Sequence, residues 1–154
     1  MNTPLVFQFI SEPSDVNYGG KVHGGSVMKW IDQAGYACAS TWSGRYCVTV
    51  YVGGIRFYQP IKIGQIVKVE AHVIYTGSTS MHIAIDVYAR DLKKETFEKK
   101  THCIIVFVAT DDDGKSVSVP KWIPYTEEEK KQEEYAKRLM VHRKQIEEEM
   151  KPFL

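Results

Sequence analysis

Cysteine is scarce in this sequence, and long hydrophobic runs are missing. The 154 residues contain three cysteines. Because that number is odd and no CxxC pair occurs, a disulfide framework and a zinc ribbon are both disfavoured. No run approaches the ~18 apolar residues of a membrane helix. The N-terminal segment lacks a basic region followed by a long apolar stretch, so no signal peptide is expected. We therefore expect a cytoplasmic protein without a membrane partner.

An excess of charge of either sign is also missing. Lys and Arg total 20 against 19 Asp and Glu, which gives a net charge of +1. This balance argues against bulk capture of nucleic acid or anionic membrane, although a small anionic ligand needs only a local basic patch. The hydrophobic share of 44% is typical of a folded chain. A domain of this length buries roughly 70% of its unfolded surface and needs no covalent staples.

The short motifs of common enzymes are absent as well. The sequence contains no GxSxG, HExxH or Walker A motif. Residues 111–114 (DDDG) hint at a calcium loop but lack its remaining ligands, so a turn is the preferred interpretation. We expect no metal site and no cofactor.

Hydrophobic periodicity predicts an α+β chain. The predicted strands cover residues 5–10, 46–58, 65–76, 80–90 and 99–109. The predicted helices cover 26–42 and the segment from 126 onward, where Thr126 and Glu129 form a capping box. The first helix has so broad an apolar arc that we expect protein around most of its circumference. One helix wrapped by a curved antiparallel sheet satisfies this pattern.

Alternation also predicts strand register. The apolar residues of strands 65–76 and 80–90 are odd-numbered, and a three-residue loop at 77–79 pairs Tyr75 with Met81 and Val73 with Ile83. Gly53 and Gly54 predict a bulge or a close backbone approach in the strand 46–58.

Three histidines, His72, His82 and His102, fall on the face of the predicted sheet opposite the core. We interpret them as solvent-facing or interface residues, with a zinc site as the lesser alternative. We divide the chain into a main domain, 1–125, and a C-terminal helical extension, 126–154. The extension carries an apolar stripe and is expected to pack on the body or on a neighbouring subunit.

Residues 17–32 (NYGGKVHGGSVMKWID) hold the best candidates for chemistry. Gly24 and Gly25 leave unshielded N–H groups at a helix N-terminus, which suits an anion or a developing oxyanion. Asp32 lies at the edge of the apolar arc and must be hydrogen-bonded, paired or functional. The structural alternatives are a close helix start for the glycines and a satisfied interface carboxylate for Asp32.

The stretch 13–35 (PSDVNYGGKVHGGSVMKWIDQAG) resembles the acyl-CoA hydrolase branch of the hotdog-fold thioesterases. The resemblance spans roughly residues 10–140, including 48–81 and 119–131 (VPKWIPYTEEEKK). It implies a hotdog fold, in which a curved antiparallel sheet wraps one long central helix. It also implies dimers with continuous sheets, often assembled into hexamers as trimers of dimers. The implied reaction converts a fatty acyl-CoA into free acid and CoA without metal, with Asn17 and Asp32 as catalytic residues. CoA enters only as part of the substrate.

The spacing along the helix predicts a shared site. Asp32 lies eight residues beyond Gly24, which is ~12 Å along the axis at ~1.5 Å per residue. One thioester carbonyl cannot contact both, so we expect two subunits to build each site. Asp32 of one subunit would act as general base or nucleophile. The Gly24 or Gly25 amide and Asn17 of the other would polarise the carbonyl.

The CoA end of the substrate is expected at small, backbone-accessible positions. The resemblance places the hairpin residues Gly77, Ser78, Thr79 and Ser80 near the pantetheine and phosphates, and an ordinary loop is the alternative. Gly53 and Gly54 are candidates for a close approach of the pantetheine arm, and His23 is a further substrate-binding candidate.

Two other functions remain open at this point. One is a hotdog dehydratase or hydratase, for which His23 is the available base near the helix. The other is a non-catalytic acyl-CoA-binding or regulatory module.

Overall fold

Five strands and two helices make up the part of the chain that the computed structural model describes, residues 4–154. Residues 1–3, which begin the N-terminal segment discussed above, lie outside it. The strands are β1 (Leu5–Ile10), β2 (Tyr46–Phe57), β3 (Ile66–Thr76), β4 (Ser80–Arg90) and β5 (Glu98–Thr110). The helices are α1 (Gly24–Ser43) and α2 (Glu127–Met150). The strands form one antiparallel sheet in the order β1-β3-β4-β5-β2. The predicted α+β architecture is confirmed.

Helix α1 begins at Gly24, two residues before the predicted start, with His23 as its N-cap. Gly24 and Gly25 are therefore the first helical residues and do not precede the helix. The helix ends at Gly44, whose φ of 67° is the left-handed conformation that glycine adopts without strain.

The main core lies between α1 and one face of the sheet, which we call the inner face. Helix α1 contacts all five strands. Odd-numbered residues of β3 and β4 supply most of the inner face, and each of the following is at most 1% exposed: Val67, Val69, Ala71, Val73, Met81, Ile83, Ile85, Val87 and Ala89. A Cβ on Gly35 would lie 2.8 Å from the Phe107 ring, so the helix reaches β5 closely only because this residue is glycine.

The expectation that α1 is covered around most of its circumference is wrong for the single chain. Val27, Ile31 and Ala34 are buried, but Met28 is 46% exposed. The sheet covers only one side of the helix, because β2 ends the sheet at its edge.

The three-residue loop at 77–79 and the pairing of Val73 with Ile83 are confirmed. The predicted pairing of Tyr75 with Met81 is wrong, because a bulge between Val73 and Tyr75 shifts the register by one residue. Tyr75 therefore pairs with His82. The bulge predicted in the strand 46–58 is confirmed by a register shift between Gly53 and Arg56 in β2.

The second helix packs on the other face of the sheet, which we call the outer face. Its Ala136 is buried in a small cluster with Ile74, Ala84 and Ile104, and Tyr135 and Leu139 pack beside it. The predicted capping box of Thr126 and Glu129 is confirmed. The division of the chain at residue 125 stays a prediction.

Because α2 covers the outer face, the solvent-facing interpretation of the histidines is wrong for His82, which is 3% exposed. His102 is only partly exposed, and its ring nitrogens contact Asp86 at 2.7 Å and the Tyr135 hydroxyl at 2.9 Å.

Strand β2 forms one edge of the sheet and exposes apolar side chains. Val48, Val50 and Val52 are exposed in the single chain. A long edge strand with apolar side chains is prone to pair with another strand. Within residues 4–154, neither helix combines the length and the apolar character that crossing a membrane requires.

Candidate active site

Asn17 opens the tight turn that leads into α1. Its backbone N–H donates to the Lys21 carbonyl at 2.7 Å. Its Oδ1 accepts hydrogen bonds from the backbone N–H groups of Gly19 at 2.9 Å and Lys21 at 3.3 Å. The carboxamide is thus oriented through its oxygen. Its Nδ2 donates no hydrogen bond within the described residues, so both hydrogens remain available to an acceptor.

The sequence alone did not decide whether the Gly24 or the Gly25 amide is free, and only one of the two is. The Gly25 N–H donates to the His23 Nδ1 at 3.0 Å and is thereby occupied. The N–H groups of Ser26 and Val27 donate to the His23 carbonyl. The Gly24 N–H has no partner in residues 4–154. Gly24 is therefore the amide that can meet a ligand at the positive end of the helix.

Asn17 and Gly24 line one pocket of about 330 Å³ between α1, the loop before it and the start of β5. Two cationic side chains, Lys21 and Lys100, also line it. Lys100 is buried, and its Nζ donates to Gln59 Oε1 and contacts Glu98 Oε2, each at 3.2 Å. The pocket thus combines two free N–H donors with positive charge. This arrangement suits an oxygen that gains negative charge.

Asp32 does not line this pocket. It is exposed on α1 and accepts a hydrogen bond from the Thr49 hydroxyl of β2 at 3.0 Å. The pair holds the carboxylate at the exposed edge of the sheet. One chain therefore keeps the carboxylate apart from the N–H donors of Asn17 and Gly24.

Thr49 is a site candidate that the sequence reasoning missed. A single threonine on an edge strand gives no motif of its own. The available signal was alternation, which places Thr49 on the same face as Cys47. Because Cys47 is buried against the helix side, that alternation directs Thr49 toward α1.

The predicted hairpin lies at the opposite end of β3 and β4 from the Asn17 pocket, roughly 30 Å away at 3.3 Å per residue. The carbonyls of Ser78 and Thr79 accept backbone hydrogen bonds from Val119 at 2.9 Å and Ala109 at 3.1 Å. Ser80 closes the loop, since its carbonyl accepts from the Gly77 N–H at 3.0 Å.

A pocket of about 650 Å³ lies beside this hairpin. Gly77 and Ser78 line it together with Lys121 and Lys137. Glu133 lines it as well and pairs with Lys137 at 3.5 Å, so Lys121 is the cation left for a phosphate.

Gly53 and Gly54 lie away from both the Asn17 pocket and the hairpin pocket. The φ of Gly54 is +67°, which fits the predicted bulge. Both glycines line a cavity on the outer face under α2, together with Tyr51. The chain by itself therefore does not bring them to Asn17 and Gly24. Within residues 4–154, no three His, Cys, Asp or Glu side chains converge as metal ligands would.

Residues 19–96 match the thioesterase superfamily. The chain is 33% identical to the acyl-CoA thioester hydrolase YciA of Salmonella typhimurium over 125 residues, which cover 77% of this chain and 94% of that protein.

Two solved structures extend the similarity to the fold. An acyl-CoA hydrolase from Staphylococcus aureus, in complex with butyryl-CoA, CoA and CoA disulfide, superposes with a TM-score of 0.89 at 28% identity. The match covers 97% of this chain and 92% of that one. A hexameric thioesterase from Yersinia pestis gives a TM-score of 0.70 at 30% identity, with 75% and 93% covered.

The Staphylococcus aureus hydrolase has also been solved as single alanine variants of an asparagine, an aspartate and a threonine. Those three residues have the same spacing along their chain as Asn17, Asp32 and Thr49 have here. Sequence, fold and spacing agree, and the chain belongs to the thioesterase superfamily.

Proposed function

We propose that this protein hydrolyses acyl-CoA thioesters to the free carboxylic acid and CoA. The superfamily, the named Salmonella relative and the butyryl-CoA complex of the Staphylococcus aureus hydrolase support this reaction. The observation that carries the proposal is the pocket that holds two unpartnered N–H donors, Asn17 Nδ2 and the Gly24 amide. A thioester carbonyl is the acceptor that such a pair polarises.

Each site is composite and needs two subunits. The exposed apolar edge of β2 is the surface through which a second copy would pair, strand against strand, about a two-fold axis. Such pairing sets the two α1 helices antiparallel. Gly24 of one subunit then lies beside Asp32 of the other, which overcomes the ~12 Å that separates the two residues within one helix.

The chemistry follows from these positions. Asn17 and Gly24 donate hydrogen bonds to the carbonyl oxygen as it becomes an oxyanion. Asp32 of the other subunit, oriented by the Thr49 hydroxyl, takes a proton from the attacking water or attacks the carbonyl carbon itself to give an anhydride. The C–S bond breaks, and the CoA thiolate leaves and is protonated by solvent. The anhydride, where it forms, is then hydrolysed by water.

The CoA end is held away from the reacting carbon. The hairpin residues 77–80, with Lys121 beside them, supply N–H groups and a cation for phosphate. Since this hairpin is a strand length away from Asn17, it serves a site completed by another subunit. Gly53 and Gly54 stay candidates for the pantetheine arm, and His23 borders the site as the helix cap.

Assembly and location complete the proposal. The Yersinia pestis structural relative is hexameric, and we place this chain in a hexamer built as a trimer of dimers. The compartment is the cytoplasm, and no metal, other cofactor, nucleic acid or membrane takes part. The dehydratase alternative is disfavoured because the His23 Nδ1 already accepts the Gly25 N–H and caps α1.

Two isosteric variants test the reaction and the residues together. Asn17→Asp keeps the oxygen that the turn requires but removes the N–H donors, and Asp32→Asn removes the carboxylate. Release of free thiol from a panel of acyl-CoAs should fall by about 10²–10³ in each case. Gln33→Glu and Asp112→Asn, on exposed positions, are the matched controls and should keep the native rate.

Three outcomes would contradict parts of the proposal. Near-native rates in both variants would make Asn17 and Asp32 structural. Stable acyl-CoA binding without hydrolysis by the native protein would indicate a binding module. Turnover of an enoyl or 3-hydroxyacyl thioester without thiol release would indicate a dehydratase or hydratase.

A further inference from the structure

The outer face of the sheet holds a cavity that none of the residues proposed to act on the thioester carbonyl lines. Its volume is about 150 Å³, and it lies between the bulged part of β2, the outer face of the sheet and α2. Its apolar lining includes Ile104, Val106, Leu139 and Met140. A cavity of this size in an apolar interior holds a molecule about as large as benzene.

Two polar side chains in this lining have no hydrogen-bond partner in residues 4–154. His82 is 3% exposed and makes only an edge-to-face ring contact with Tyr75. The Nε of Arg143 is buried without a hydrogen bond, and the Glu147 carboxylate lies 3.6 Å from it. Buried polar groups are nearly always satisfied, so the Arg143 Nε calls for a partner, and the His82 ring beside it offers a further hydrogen-bonding group.

Among the described residues, neighbouring side chains do not supply hydrogen-bond partners for His82 and Arg143. The neighbouring His102 ring, which is partly exposed, already contacts Asp86 and the Tyr135 hydroxyl. The Arg143 guanidinium lies over the Tyr51 ring, 5.2 Å from its centroid, and this contact fixes its direction. Its ion-pair partner Glu147 is 60% exposed, and a pair with so exposed a partner contributes little free energy.

The charge state of the cavity is set by the same residues. Burial, and to a smaller extent the Arg143 cation, lower the pKa of His82 to about 4. His82 is therefore neutral at pH 7 and can donate or accept one hydrogen bond. Arg143 supplies the positive charge. The remaining wall is mainly apolar, with the rings of Tyr51, Tyr135, His102 and His142 among the aliphatic side chains.

We propose that this cavity binds a small monocarboxylate with a short apolar body, on the order of six carbon atoms. The carboxylate accepts hydrogen bonds from Arg143 and His82, since an arginine fork matches a carboxylate well. The apolar body lies against Leu139 and Val106. None of Asn17, Gly24 and Asp32 lines the cavity, so the inference does not depend on the proposed chemistry at the thioester. Gly53 and Gly54, the candidates for the pantetheine arm, do line it, so the acid and the pantetheine arm are alternative occupants of this cavity.

Titration of the whole protein with hexanoate tests the proposal. Saturable binding, one acid per chain, is expected by calorimetry, and hexanamide should bind at least about tenfold more weakly because it lacks the charge. Arg143→Gln should weaken hexanoate binding by about tenfold or more. Ile146→Trp, at the half-exposed rim, should block it. Arg138→Gln, on an exposed part of α2, is the matched control and should bind like the native protein.

The five histidine rings report where the acid sits. In NMR spectra of ring-labelled protein, hexanoate should shift the signal of His82 and leave that of His23, which caps α1 next to the catalytic pocket, unchanged. A shift of His23 alone would place the acid in the catalytic pocket and overturn the proposal. The absence of saturable hexanoate binding would also overturn it. An equal loss of hexanoate affinity in Arg138→Gln and Arg143→Gln would do the same. Arg143→Gln should keep the native rate of thiol release, so failure here is distinguishable from failure of the proposed hydrolysis.

Discussion

The same strands form both faces of the sheet, but the buried residues of the two faces are stabilised in different ways. On the inner face, α1 packs with apolar side chains, and the odd-numbered residues of β4 are almost completely buried. On the outer face, α2 contributes Ala136 to a small apolar cluster, while polar residues such as His82 and Asp86 are buried beside it. The inner face is thus a conventional core. The outer face is a covered surface with polar groups that need specific partners.

The comparison teaches that burial and apolar character are separate properties of a strand. Asp86 is buried because α2 and its neighbours cover it, and it contacts the His102 ring at 2.7 Å and the Lys99 Nζ at 3.1 Å. Burial raises the pKa of this carboxyl, but His102 and Lys99 outweigh burial and hold the pKa below its ordinary value. Partner side chains stabilise the charge of Asp86, whereas the apolar side chains of the inner face need only pack closely against one another.

The largest difference between the faces is expected in the free energy of unfolding of two alanine variants, one for each helix. Ile31→Ala on α1 removes a fully buried side chain and should lower the free energy of unfolding by about 2–5 kcal/mol. Ile146→Ala on α2 removes a half-exposed one and should cost about 0.5 kcal/mol or less. Chemical denaturation of both variants measures this. Equal losses would mean that α2 is as much a part of the core as α1.

A pH dependence should distinguish the outer face next. The unfolded-state pKa of His82 is about 6.5, whereas burial, with Arg143, lowers the folded-state pKa to about 4. Between these pH values His82 is protonated in the unfolded chain but neutral in the folded chain. The free energy of unfolding therefore falls as pH decreases from about 6.5 to 4. His82→Phe should remove up to about 3 kcal/mol of this loss.

Denaturation curves at pH 7 and pH 4.5 measure that change for native protein and variant. His142→Phe, at an exposed ring, serves as the control and should leave the native pH dependence intact. An unchanged pH dependence in His82→Phe would show that His82 titrates normally, and the outer face would then be open to water.

The smallest expected effect concerns the start of α2. The Thr126 hydroxyl accepts the Glu129 N–H at 3.0 Å, so Thr126→Ala should cost about 1 kcal/mol. Hydrogen exchange should accelerate in the first turn of α2 and stay unchanged in α1. Thr41→Ala, an exposed site inside α1 without a cap, should alter neither helix. Faster exchange in α1 as well would indicate that the two faces unfold together.

The inner face could be predicted from the sequence and the outer face could not. Period-2 alternation in β3 and β4 identified the inward residues, and the loop at 77–79 followed from their register. The bulge before Tyr75 was not visible, because Ile74 and Tyr75 are both suited to a strand. The burial of His82 depends on where α2 docks, and that position is a tertiary choice that strand periodicity does not encode.

The candidate site divides in the same way. Gly24, Gly25 and Asp32 stood out in the sequence by residue type and position. The choice between Gly24 and Gly25 depended on the His23 ring, which takes one amide, and no spacing rule gives a ring orientation. Strand alternation directs Thr49 toward α1, but only its hydrogen bond to Asp32 identifies it as a site candidate.

The central claim is that two subunits build each site, and mixing the two inactive variants tests it most directly. Asn17→Asp and Asp32→Asn are purified separately, combined under conditions of subunit exchange, and assayed for thiol release. A mixed dimer contains one intact site, so random exchange should restore about a quarter of the native rate. If exchange is verified by mass spectrometry and the mixture stays as inactive as the separate variants, Asn17 and Asp32 act within one chain and the account is contradicted.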